Sequence, residues 1–68
     1  MKNKIKELRA RHNLTQGELA KQLNVRRETI LYIEKGKFNP SLQLAYNISV
    51  ALKSDIYDVF IFDDESEV

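Results

Sequence analysis

The chain has 68 residues, no cysteine, no tryptophan and a formal net charge of +1. That length allows a single domain that buries only about 60% of its unfolded surface. The missing cysteines exclude disulfides and thiolate metal sites, so tight helix packing or self-association must supply the remaining stability.

No apolar run approaches the ~20 residues that cross a bilayer. The basic start MKNKIKEL is not followed by the apolar segment of a signal peptide. A cytoplasmic protein is expected. The charge is unevenly spread. Residues 1–37 hold ten Lys/Arg and four Asp/Glu, a net of +6; residues 38–68 hold one Lys and six Asp/Glu, a net of −5. A basic half beside an acidic half suggests one surface that faces a polyanion and one that faces water. The alternative is a charge distribution without meaning.

The pattern predicts five short helices. The first covers about 4–12, with Asn3 as its N-cap, Ile5 and Leu8 inward, Lys4, Arg9 and Arg11 outward, and Asn13 as a left-handed stop. The second opens on Thr15-Gln16-Gly17-Glu18, a capping box in which hydroxyl and carboxylate each satisfy an orphan amide. Leu14 and Leu19 are spaced to staple that start, and Asn24 ends the helix.

A helical period resumes at once with Ile30 and Ile33 and stops at Gly36. Two helices joined by three or four residues form a helix-turn-helix layout. Arg26 stands where a small polar cap is expected.

Pro40 holds Asn39 extended and marks the next boundary. The fourth helix carries Leu42, Ala45, Ile48, Ser49 and Leu52 as its inward stripe. Ser54 is expected to cap the fifth helix, whose first turn holds Asp55 and Asp58. The run Phe60-Ile61-Phe62 is β-prone, and residues 63–68 form an acidic tail expected to fray.

The stretch LTQGELAKQLNVRRETILYIEKGKFNPSLQLAYNISVAL resembles the Xre family, the Cro- and phage-repressor-type helix-turn-helix proteins. The resemblance rests on Leu14-Thr15-Gln16, Glu18-Leu19-Ala20, Leu23, Val25, Ile30, Ile33-Glu34, Gly36-Lys37 and Pro40-Ser41-Leu42, and spans about residues 4–60. The ending DIYDVFIFD is similar to that of short one-domain repressors of the cytolysin-operon type.

The resemblance implies an all-α, five-helix DNA-binding domain over residues 1–62, with room for a short C-terminal strand, acting as a homodimer. It implies that Gln16 bonds a phosphate and braces the recognition helix. Arg27, Glu28 and Tyr32 then fall at base-facing positions, and Lys35, Lys37 and Asn39 on the backbone-tracking loop. Two positions depart from the family's usual pattern: Arg26, where Ser or Thr is common, and Glu28, where an amide is common.

The chemistry of the third helix agrees. Positions 26, 27, 28, 31, 32 and 35 avoid the Ile30/Ile33 stripe and share the exposed arc. A helix enters the major groove with its first residues at base edges. Arginine there pairs with guanine, glutamate accepts from the cytosine amino group, and Leu31 can touch a thymine methyl. Simpler roles stand beside these. Leu31 and Tyr32 can pack sideways against the first or fourth helix. Glu28 can form a salt bridge with Arg27 or Lys35. Arg26 suits phosphate contact better than base reading.

Enzyme chemistry finds little support. His12 is the sole histidine, single glycines form no phosphate loop, and the carboxylates of the tail lack a rigid scaffold. No metal, cofactor, membrane or small-molecule ligand is implied. Alternation would point Ile61 away from Phe60 and Phe62, so a second copy is expected to cover them. Pro40, Tyr57, Phe60, Ile61 and Phe62 are the expected dimer residues. The expected function is a sequence-specific repressor on a near-palindromic operator. The alternative is an antitoxin-like protein-binding module that also binds its own promoter.

Overall fold

A computed structural model describes residues 1–62; the expected acidic tail lies outside them. The elements are β1 (Lys2–Asn3), α1 (Ile5–Arg11), α2 (Gln16–Leu23), α3 (Arg27–Glu34), α4 (Leu42–Ala51), α5 (Ile56–Val59) and β2 (Phe60–Ile61). The fold is thus the five-helix domain, with α2 and α3 as the helix-turn-helix pair. The short C-terminal strand exists and has a partner the sequence did not announce. β1 runs antiparallel to β2, with Lys2 opposite Ile61 and Asn3 opposite Phe60.

The helix starts differ. At α2, Thr15 Oγ1 accepts from Glu18 N at 3.0 Å while Glu18 Oε1 accepts from Thr15 N at 2.8 Å, the reciprocal capping box. At α4, Ser41 Oγ accepts from Leu44 N at 3.1 Å. At α3 the N-cap is Arg26, extended and without a side-chain cap bond. Two expectations need correction. Lys4, not Asn3, occupies the N-cap of α1, and Asn3 serves from one residue earlier. Its Oδ1 accepts from Ile5 N, and its Nδ2 donates to Ile33 O at 2.9 Å. Asp55, not Ser54, precedes α5; the Ser54 hydroxyl turns back to donate to Leu52 O at 3.0 Å.

The first four helices stop by one device. A left-handed residue follows each: Asn13, Asn24, Gly36 and Lys53. In each case the next amide reaches five residues back, as in Lys37 N to Tyr32 O at 2.9 Å. This is the Schellman closure, and it satisfies carbonyls that the helix end would orphan.

The core lies between these helices. Ile5 and Leu8 of α1, Leu19 of α2 and Ile30 and Ile33 of α3 meet Ile48 and Leu52 from α4 and its end. Each fully buried aliphatic side chain contributes about 1.5–3 kcal/mol. Val59 and Phe60 close the core from the C-terminal side. Lys4 N donates to Val59 O at 2.7 Å and ties the two chain ends together. Among the described residues Ser49 is the buried polar one, and its hydroxyl donates to Ala45 O at 3.0 Å.

Leu42 was expected inward and is 80% exposed, because it opens α4 beyond the edge of the core. Leu44 packs against the core instead.

Candidate nucleic-acid interface

The start of α3 carries an unusual density of charge in the open. Arg26, Arg27 and Glu28 are exposed, and Tyr32, one turn on, keeps 47% of its surface. Ile30 and Ile33 hold the opposite face in the core, which fixes the rotation of the helix. Lys35, Lys37 and Asn39 are exposed along the end of α3 and the loop beyond it. Leu31 is half-buried; it borders a shallow groove between α1 and α3 that Lys6, Glu7 and Lys35 also line.

Behind this surface lies a connected set of polar side chains. Arg9 grips the Glu34 carboxylate with two bonds, from Nε at 2.6 Å and from Nη2 at 3.2 Å. Its Nη1 donates to Leu14 O at 2.9 Å, just ahead of the α2 cap. Gln16 Nε2 donates to Glu34 Oε1 at 3.1 Å. Arg27 Nη1 then donates to Gln16 Oε1 at 3.0 Å. Four side chains from α1, α2 and α3 thus form one chain of bonds that ends at an exposed guanidinium.

Arg9 corrects the expectation that it faces water. Its side chain is only 13% exposed and that of Glu34 8%. The ion pair is the one salt bridge among the described residues. A signal for it was available: Arg9 lies four residues after Ile5, and Glu34 four after Ile30, each on the inward stripe. A charge on an apolar stripe calls for a partner of opposite sign.

Glu28 forms no salt bridge among the described residues, so the alternative role, a pairing with Arg27 or Lys35, is absent. Gln16 holds Arg27 instead.

A family model described as helix-turn-helix matches residues 5–59. The chain belongs to the Xre/Cro-type helix-turn-helix family. It is a transcriptional regulator with a helix-turn-helix DNA-binding domain. An HTH-type transcriptional regulator of Archaeoglobus fulgidus is 58% identical over 65 residues, covering 96% of this chain and 92% of that protein. The crystal structure of the restriction-modification controller protein C.AhdI from Aeromonas hydrophila superposes with a TM-score of 0.76 at 28% identity. That match covers 82% of this chain and 85% of the other. A hypothetical transcription factor from Neisseria shares the fold with a TM-score of 0.74 at 24% identity over 79% of this chain, which spans only 61% of that longer protein. Family and relatives point to a DNA-binding regulator rather than an enzyme. Among the described residues, no helix is long and apolar enough to cross a membrane.

The residues expected at a dimer axis divide in two. Tyr57 is 80% exposed and meets Phe62 edge-on, ring centroids 5.6 Å apart; Ile61 is exposed and Pro40 half-buried. Phe60 is a correction. It is buried within its own chain, so it has almost no surface to offer a second copy. The expectation that a single chain cannot cover both faces of this run agrees with the exposure of Ile61 and Phe62; what it did not foresee is that Phe60 is the buried member, opposite Asn3 of β1. The exposed apolar residues Leu42, Tyr46 and Val50, spaced four apart on α4, were also missed as a surface feature.

Proposed function

We propose that this chain is a cytoplasmic homodimeric repressor that reads a near-palindromic operator through the major groove. Residues 1–62 would form the DNA-binding and dimerising unit. The observation that carries the reading is the start of α3. It is exposed, uncapped by a side chain and flanked by Arg26 and Arg27. Phosphates near this end interact with both the arginines and the free amides.

Arg27 and Glu28 are assigned to base edges, Tyr32 to a base or phosphate one turn on, and Leu31 to the groove wall. Gln16, Arg26, Lys35, Lys37 and Asn39 are assigned to phosphates. With its carboxylate in no salt bridge, Glu28 is assigned as an acceptor for a cytosine amino group. Tyr57, Ile61, Phe62 and Pro40 are assigned to the two-fold contact. A two-fold dimer spaces its recognition helices about 34 Å apart, one turn of the duplex. Repression rather than activation rests on the family resemblance alone.

The test is selection of bound fragments from a random duplex library, with sedimentation equilibrium on the free protein. An inverted repeat and a dimer at tens of micromolar are expected. Fragments without two-fold symmetry, or a monomer throughout, would contradict the dimeric reading. A salt titration on the selected duplex then counts phosphate contacts through its slope. Lys37→Ala should lower that slope by about 1 and weaken all duplexes alike.

A further inference from the structure

We infer that the Arg9–Glu34 ion pair sets the direction in which the Gln16 amide points, and through it the position of Arg27 for base reading. Arg9 and Glu34 are then positioning residues for sequence discrimination, although neither is assigned to DNA. The inference rests on Arg27 as a base reader.

The argument is one of donors and acceptors. A primary amide has a donor end and an acceptor end and can be turned either way. Here its two neighbours are of one kind each. The ionised Glu34 carboxylate only accepts, and the Arg27 guanidinium only donates. The Gln16 Nε2 group must therefore face Glu34, at 3.1 Å, and Oε1 must face Arg27, at 3.0 Å. The reversed amide would set oxygen against carboxylate and N–H against guanidinium, losing both bonds.

The carboxylate is fixed in turn. Arg9 binds it with two N–H groups in a site where the Glu34 side chain is only 8% exposed. Its third group, on Leu14 O, holds the chain that leads into α2 and so sets where Gln16 begins. Arg27 commits one N–H to Gln16. Four of its five remain, enough for a two-bond contact with guanine. Its Cδ would lie 3.9 Å from a Cβ at Gly17, so the stem runs along the first turn of α2. The guanidinium is thus held before DNA arrives, and less side-chain freedom remains to be lost on binding.

The test replaces the ion pair without leaving a lone buried charge. The double variant Arg9→Met/Glu34→Met puts apolar side chains of similar volume in its place, an exchange that often preserves stability. Gln16 then has no carboxylate to orient it. Circular dichroism and thermal melting report that the variant is folded. Binding is measured to the duplex selected by the native protein and to a random duplex. The expected result is a ratio of specific to random affinity about tenfold lower, with the salt slope unchanged. In an Arg27→Ala background the same double change should leave the ratio where Arg27→Ala put it.

A folded Arg9→Met/Glu34→Met protein with the native ratio would overturn the inference while Arg27→Ala still lowers it. If Arg27→Ala itself leaves the ratio unchanged, the base-reading assignment fails and the inference with it. Should the double variant not fold, Glu34→Gln is measured in its place. It keeps the shape but offers Gln16 either a donor or an acceptor; a native ratio there overturns the inference.

Discussion

The starts of α2 and α3 lie eleven residues apart and are built on opposite plans. At α2 a hydroxyl and a carboxylate close on each other's amides, and the helix end is satisfied within the chain. At α3 no side chain closes the end, and two cations stand where the dipole disfavours them. Each choice is sensible for its neighbour. The start of α2 carries Gln16, which must be held still to hold Arg27. The start of α3 is assigned to meet phosphates, which interact favourably with both the amides and the cations. Under that assignment, a domain this small gives up stability at one helix end and recovers it when DNA is bound.

The comparison can be broken most severely where the two starts are joined. Glu34→Ala leaves Arg9 buried without its partner and frees Gln16. A loss of about 3–5 kcal/mol is expected, a large share of the stability of so short a chain. Urea unfolding measures it; a loss below about 1 kcal/mol would mean that the pair is solvated and joins nothing.

Arg27→Ala should cost about 1–3 kcal/mol on the selected duplex and much less on a random one. Competition binding separates the two, and equal losses would turn Arg27 into a phosphate contact.

The two caps can then be set against each other. Thr15→Ala removes the hydroxyl that accepts from Glu18 N and should lower stability by about 1 kcal/mol. Arg26→Ser has the opposite sign. It supplies the missing cap and should raise stability by about 0.5–1 kcal/mol, a shift of a few degrees in melting temperature, while DNA binding weakens. An Arg26→Ser protein that melts lower than the native one would remove the contrast between the helices.

The smallest effect concerns the surface they share. A Cβ at Gly17 would meet nothing closer than 3.9 Å. Gly17→Ala should therefore stabilise α2 by about 0.5–1 kcal/mol and leave Arg27 in place. A fall in stability would show that the stem of Arg27 lies tighter against α2 than that distance implies.

How much of this was written in the sequence depends on the reach of each contact. The Thr15/Glu18 box was legible because both partners lie within four residues. So were the left-handed stops at Asn13, Asn24 and Gly36, since these residue types tolerate that backbone. Lys53 adopts the same conformation at φ 55° and was not foreseen, because nothing in a lysine announces a turn that costs it about 1–2 kcal/mol. The site was legible as a set of positions on one helical arc. Its wiring was not, because Arg9 and Glu34 are 25 residues apart.

Local patterning also misjudged faces. Leu42 fits an inward stripe by spacing but sits at the first position of α4, past the edge of the core. Phe60 was expected at a contact between two copies, yet it lies opposite Asn3 of β1 and its side chain is buried in the chain's own core.

By itself, then, the sequence determined the five helices, most of their stops, the helix-turn-helix pair and the exposed arc of α3. Each of these follows from periodicity and from contacts within a turn or two of the chain. Only the tertiary structure decided that Arg9 turns inward, that Gln16 rather than Glu28 holds Arg27, that β1 pairs with β2, and that Phe60 is withdrawn from the surface. These outcomes depend on which helices meet. A buried charge or an unpaired strand edge must find its partner wherever the fold brings one, at whatever distance along the chain.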